Sequence, residues 1–363
     1  MYVNGKFCAQ RTTGVQRYAH SLLAALDASL VERPDGRQWT LLLPPGAPAP
    51  RLHAVQVSTL PWAGPGGLHG WEQLALPWAA RHGELLCLSG SAPAFAARLG
   101  SVLHDAAVFD HPQAYSAPFR RWYRWLFRRL ARRADPLMTI STFSCERLSA
   151  ALQVPMSRFD IVPGGADHLT GVAAGALPAA LQGRRFVLAV GSANPTKNLA
   201  ALQAAWVRVQ APGHLLVLAG GHNPRVFAGP GQAAGTARTL VLPEVDDAQL
   251  MALYRHADAL AFPSIYEGFG LPPLEAMAQG CPVLAARAAS LPEVCGDAAL
   301  YADPMDVESI AAALQRLLDD EALRDTLRAR GLTRARALTW AAAAAQLRQV
   351  LADRWGPCED RGS

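Results

Sequence analysis

The chain has 363 residues, more than one ordinary domain and fewer than three at about 100–200 residues each. At 51% hydrophobic and 17% charged it can bury real cores, which excludes disorder, collagen and coiled coil. The net charge of +5 belongs to the first half: residues 1–170 hold 17 bases and 11 acids, and residues 171–363 hold 17 and 18.

In chain order, Gly14-Val15-Gln16-Arg17-Tyr18 opens a helix with Val15, Tyr18, Leu22, Leu23 and Leu26 on one face. Short apolar runs predict strands over Trp39–Leu43, Leu85–Leu88 and Ser101–His104. A helix over Phe119–Ala134 and strands over Leu137–Ser141 and Asp160–Pro163 follow. Glycine and proline between 164 and 182 predict a linker. The rhythm restarts with strands Arg185–Val190, His214–Ala219 and Thr239–Leu242, helix Asp247–His256 and strand Ala259–Phe262. Helix Pro273–Gln279 and a last strand Pro282–Ala285 complete it. This alternation predicts an α/β protein with two Rossmann-like, doubly wound halves that bind ligand beyond the carboxyl ends of their strands. The expected domains are 1–170 and 171–345, with 346–363 a C-terminal helix and tail packing back on the first domain.

Six scattered cysteines with no CxxC pair argue against a disulfide framework or structural zinc. Met1–Gly14 lacks the apolar region of a signal peptide, and no apolar run reaches the roughly 18 residues of a membrane span. A cytoplasmic protein, soluble or peripheral at the inner membrane face, is expected.

The sharpest segment runs from Pro263 to Met277, at the end of an apolar strand. Gly268 and Gly270 allow close backbone approach to a ligand, and Pro272-Pro273 suit a helix start. Glu275 is then expected in the first helical turn, beside free amides that make a phosphate site. Glu267, on the other side of that phosphate, faces what it carries. Plainer roles fit the same residues: Glu275 a dipole-stabilising carboxylate, Glu267 a loop charge.

Residues 263–277, with Gly280-Cys281-Pro282-Val283-Leu284, Leu291–Ala299 and Asp303-Pro304, resemble the Glu-x7-Glu region of retaining glycosyltransferases of family 4, which have the GT-B fold. The resemblance is densest over 185–340 and extends to bacterial polysaccharide and O-antigen mannosyltransferase-like enzymes. It implies that Glu275 holds the nucleotide ribose and that Glu267 lies against the transferred sugar. Backbone at Phe269, Gly270 and Leu271 would contact sugar hydroxyls and diphosphate. Leu242 and Val245 look like the region beside the donor's base.

Gly191-Ser192-Ala193-Asn194-Pro195-Thr196-Lys197 leaves a strand and enters a helix. Lys197, one of only two lysines beside 32 arginines, can neutralise a diphosphate as a point charge. The resemblance assigns it that role, with Gly191 and Ser192 in the donor loop. The chain departs from relatives by carrying Ser192 and Thr196 where they commonly have one or two arginines. In the first half, the loop at Gly14 is similar to the family's glycine loop over the donor, while Thr13 also fits a simple N-cap. His104-Asp105 is similar to the family's His-Asp near the transferred sugar, with His111 a competitor, and Ser141 resembles its acceptor-side serine turn.

Seven arginines lie between Arg120 and Arg133. Phe119, Trp122, Tyr123, Leu126, Phe127 and Leu130 form one stripe, and the arginines with Trp125 mostly form the other face. That is a core helix with a solvated basic back, or a contact with anionic lipid through Arg120, Arg121, Arg124, Trp125 and Arg128. No nucleic-acid motif accompanies the arginines.

The resulting expectation is a retaining hexosyltransferase. It would use a nucleoside-diphosphate sugar (GDP-mannose the guess from relatives) and a saccharide or polyprenyl-diphosphate-linked acceptor, with no cofactor, no metal and no nucleic-acid partner. A phosphorylase or hydrolase on the same fold, or a non-catalytic scaffold, remains the alternative.

Overall fold

The computed structural model describes residues 1–62, 64–191, 194–220 and 238–356. The chain forms two compact units. The first takes Met1–Ala106, Trp122–Gly164 and the chain from Trp340, and the second takes Ala107–Arg121 and Gly165–Thr339.

The first unit is built on a seven-stranded sheet. Its strands are β1 (Tyr2–Asn4), β2 (Thr40–Leu43), β3 (Gln56–Thr59), β4 (Leu85–Cys87), β5 (Leu99–Val102), β6 (Leu137–Thr139) and β7 (Phe159–Ile161). They run parallel in the order β3-β2-β1-β4-β5-β6-β7. Strands buried on both faces read as unbroken apolar runs, as in Leu41-Leu42-Leu43. The helix Gly14–Glu32 starts with a capping box in which Thr13 and Gln16 each bond the other's backbone amide. The C-terminal helix Trp340–Trp355 packs against it, and Arg348 donates to the carbonyls of Ser29 and Arg33 at its end (2.7 and 2.6 Å). The Ser29 carbonyl also accepts from the Arg33 amide (2.9 Å), so the guanidinium adds a second donor at the C-terminal end of that helix.

The second unit holds a six-stranded parallel sheet. Its strands are β8 (Arg185–Val190), β9 (His214–Ala219), β10 (Thr239–Leu242), β11 (Ala259–Phe262), β12 (Val283–Ala286) and β13 (Ala299–Ala302). The order β10-β9-β8-β11-β12-β13 repeats that of the first six strands of the first sheet. Strand order reverses between β1 and β4 in one sheet and between β8 and β11 in the other. These are the switch points at which doubly wound sheets bind ligands.

Three local expectations change. The strand at Val283–Ala286 is not the last, because Ala299–Ala302 pairs with it in parallel; four residues without alternation gave no signal. The strand at 99–102 begins two residues early, across Gly100, which leaves His104 in the loop beyond its carboxyl end. Tyr2–Asn4 proves a central strand although it is only three residues long.

Candidate active site

Two loops meet at the switch point of the second sheet. The first leaves β8 at Gly191 and makes a single turn, Pro195–Lys197, capped by Asn194, whose side chain accepts from the Thr196 amide (3.0 Å). The second leaves β11 at Pro263. Thr196 joins them, its carbonyl accepting from Ser264 Oγ (2.9 Å) and from the Ile265 amide (2.8 Å). Asn198, in the left-handed region at φ +57°, donates to the carbonyls of Pro263 (3.3 Å) and Pro304 (2.7 Å). The outcome is a short, half-exposed ion pair: Lys197 Nζ lies 2.5 Å from Glu267 Oε1, which also accepts from Ser264 Oγ (2.6 Å). The lysine stem runs over Gly191, and its ammonium lies 5.3 Å above the Phe262 ring.

The glycines are a steric requirement. A Cβ on Gly220 would fall 2.1 Å from the carbonyl oxygen of Gly191, so the ends of β8 and β9 approach only without a side chain there. Gly270 has φ +105° and would drive a Cβ to 2.7 Å from Leu291. It caps the helix Leu271–Ala278. Because Pro272 and Pro273 have no N–H, the free amides of that helix start reduce to Gly270 and Leu271. Ser290 Oγ fixes the loop from behind, 2.9 Å from the carbonyls of both Glu267 and Phe269.

Glu275 corrects an expectation. It is the fifth helical residue rather than a first-turn one, because the helix starts at Leu271, ahead of both prolines. Its side chain therefore turns inward and is 3% exposed. His168 Nε2 meets Oε1 at 2.9 Å, and the buried Tyr254 hydroxyl donates to Oε2 at 2.8 Å. Leu242 ends β10, and Val245 precedes the Asp246 cap of helix Asp247–His256; both are half-buried. Ser192 lies outside the described residues. Tyr266, next to Glu267, donates to Asp110 (2.9 Å), and its ring meets His111 edge-on, so part of segment 107–121 lies on this loop.

Of the remaining expected residues, the first unit holds all but Arg120 and Arg121. His104 is buried, and its Nε2 faces the Leu88 carbonyl at 2.9 Å; a carbonyl only accepts, so this nitrogen carries the hydrogen. Burial holds its pKa down at about 4, so the imidazole is neutral at pH 7. Tyr18, from the helix that begins at Gly14, meets it edge-on at 4.8 Å. The His104 carbonyl accepts from Ser144 Oγ (2.9 Å), while Ser141 Oγ caps the helix Thr142–Leu152 through the Ser144 amide (3.0 Å). Asp105 is half-buried beside them. The basic helix spans Ala117–Arg133 and buries Leu126, Phe127, Leu130 and Ala131. Arg121, Trp125 and Arg128 are exposed, and Arg120 and Arg124 are half-buried.

Sequence reasoning missed His168, Ser264 and Ser290 as partners of the two glutamates. A further buried pair, Lys6 with Glu72 (2.7 Å), also escaped it. Only Lys6 carried a signal, its rarity as one of two lysines.

Residues 178–334 match the family described as glycosyl transferases group 1. The chain is 32% identical to O-antigen chain mannosyltransferase B from Escherichia coli over 67% of each. The chain belongs to the glycosyl transferases group 1 family. It is also 32% identical to MMP alpha-(1->4)-mannosyltransferase from Mycolicibacterium hassiacum, over 62% of this chain and 56% of that relative. The fold agrees with sucrose-phosphate synthase from Thermosynechococcus elongatus, with a TM-score of 0.74, 22% identity and 98% of each chain covered. The fold of this family member is therefore GT-B. Among its described residues, no helix is long and apolar enough to cross a membrane.

Proposed function

We propose that this glycosyltransferase moves a hexose from a nucleoside-diphosphate sugar, with retention of configuration, to a saccharide or polyprenyl-diphosphate-linked acceptor in glycan assembly. The supporting observation is the Lys197–Glu267 pair at the switch point of the second sheet, a cation and a carboxylate held 2.5 Å apart by two joined loops. The diphosphate leaves toward Lys197 and the amides of Gly270 and Leu271, which stabilise its growing charge, and its oxygen takes the acceptor proton. Glu267 supports the positive charge that develops on the sugar. Glu275 holds the ribose, while Leu242 and Val245 flank the base. Gly14, His104, Asp105 and Ser141 serve the sugar and acceptor, His104 as a neutral imidazole. With Lys197 neutralising the diphosphate, the reaction needs no divalent cation. The mannosyltransferase relatives favour mannose as the transferred sugar, and GDP-mannose is the donor proposed.

The deciding measurement is GDP release from GDP-mannose. Release that requires a saccharide acceptor and is lost in Glu267→Ala supports the reading. Release into water, or to inorganic phosphate, indicates a hydrolase or phosphorylase, and no turnover with any nucleotide sugar indicates a scaffold.

The same proposal places the protein at the cytoplasmic membrane face through Arg120, Arg121, Arg124, Trp125 and Arg128. Its support is a concentration of exposed aromatics in the first unit: Trp125 is 43% exposed, and Trp78 and Phe95 are each 68% exposed. Arg81 and Arg129 stack on Trp78 and Phe95 at 4.4 and 4.6 Å, pairing apolar rings with positive charge as an anionic interface requires. Sedimentation with phosphatidylglycerol vesicles is expected, and its persistence after the four arginines become serine would overturn this part.

A further inference from the structure

We propose that His168 is a positioning residue that fixes the donor-binding carboxylate Glu275 and thereby sets the preference for a ribonucleotide donor. The inference rests on the reading of Glu275 as the ribose-binding group.

A glutamate carboxylate turns readily about its last bond, because that torsion has a broad profile. Two hydroxyls of one ribose are held together only if the carboxylate plane stays still. In this site the two oxygens have different guardians. Tyr254, buried in the helix Asp247–His256, donates to Oε2, and His168 Nε2 faces Oε1. Donors that meet different oxygens of one carboxylate fix its plane, and with it the directions in which sugar hydroxyls are met. His168 is itself anchored. It sits in the turn Asp167–Leu169, closed by Thr170 N to the Asp167 carbonyl (3.0 Å). Leu169 is 1% exposed, and the preceding Ala166 amide donates to the Leu338 carbonyl (2.9 Å). The imidazole side chain is 7% exposed, which keeps water from replacing its bond to Glu275. The contact joins residues 107 positions apart, and no stretch of local pattern accounts for it.

The test uses whichever of GDP, UDP and ADP gives the largest thermal shift, titrated calorimetrically beside its 2′,3′-dideoxy analogue. Wild-type protein is expected to prefer the ribonucleotide by about 10- to 100-fold, the scale of hydrogen bonds to a charged group. His168→Phe is expected to reduce that preference to below about threefold and to raise KM for the donor, with kcat changed less than about twofold. His168→Gln, which keeps an N–H donor, is expected to restore most of the preference. His168→Asn, polar but too short to reach, replaces the phenylalanine variant if that one does not fold. A preference lost in Glu275→Gln but intact in His168→Phe overturns the role of His168 alone. A preference intact in Glu275→Gln overturns the ribose reading, and so does the lack of a shift with all three nucleotides; either outcome takes this inference with it.

Discussion

The two sheets share one strand order, and each has a lysine–glutamate pair at its switch point. These pairs use the only two lysines in the chain. In the first unit Lys6 follows β1, and Glu72 comes from the π-helical turn Trp71–Ala75. Their side chains are 2% and 0% exposed, and Glu72 Oε1 also accepts from Ser91 Oγ (2.7 Å) and Asn4 Nδ2 (3.0 Å). In the second unit Lys197 and Glu267 are 20% and 12% exposed, and among the described residues Ser264 Oγ is the one that adds a hydrogen bond to the pair. A dry pair with both ions saturated has nothing to offer a ligand, and it pins the chain that leaves β1. A pair at the edge of solvent keeps a lysine that a diphosphate can compete for. The same fold position thus holds a staple in one unit and, in the proposed function, the reacting site in the other.

The sharpest way to break that contrast is to remove one partner from each pair. Glu72→Ala leaves an ammonium buried without its counter-ion, which costs about 3–5 kcal/mol. Urea unfolding is expected to show a loss of that size, against less than about 1 kcal/mol for Glu267→Ala, whose lysine can turn to water. Equal losses at the two positions would erase the distinction. Activity should run the other way. Lys197→Met is expected to lower kcat about 10²- to 10³-fold, the range for deleting one group that stabilises transition-state charge. Glu267→Gln should lose transfer yet bind nucleoside diphosphate at least as tightly as wild type, because it removes the competitor for Lys197. Weaker binding in Glu267→Gln would refute that competition.

The second unit was far more legible than the first, for physical reasons. Strands β8 to β11 are unbroken apolar runs after their first residue, closed by glycine or proline, and their bounds are as the sequence predicts. In the first unit β1 has three residues, and β3 is an exposed edge strand, Gln56-Val57-Ser58-Thr59, so neither carries a hydrophobic signal. The candidate site follows the same rule. Lys197 and Glu267 sit beside glycine and proline at strand ends, where sequence alone marks a ligand loop. Glu72 is 66 residues from Lys6 and His168 is 107 from Glu275; such pairings arise only when the sheet closes.

Histidine sharpens the comparison through pH. His104 in the first unit has a pKa held at about 4 by burial, against an ordinary 6.5. The unfolded chain therefore takes the proton first as pH falls. The stability this gives is complete above pH 6.5, erodes between 6.5 and 4, and amounts to about 3 kcal/mol. Unfolding measured across that window should show the decline in wild type and a correspondingly flatter profile in His104→Gln. Identical slopes would mean that His104 is not buried neutral.

The smallest expected effect is the most diagnostic. If Lys6 and Glu72 are a staple, exchanging both for apolar residues of similar volume should be tolerated, since buried ion pairs often lose little to a well-packed apolar replacement. The double variant Lys6→Met with Glu72→Met is expected within about 1 kcal/mol of wild type in stability, well above Glu72→Ala alone, because no charge is left unpaired. Ser91 Oγ loses its Glu72 acceptor in that variant and keeps its hydrogen bond with Tyr123. Transfer activity should survive the exchange, whereas Lys197→Met with Glu267→Met should abolish it at little cost in stability. A double variant in the first unit that folds well but cannot transfer would move Lys6 from the scaffold into the chemistry.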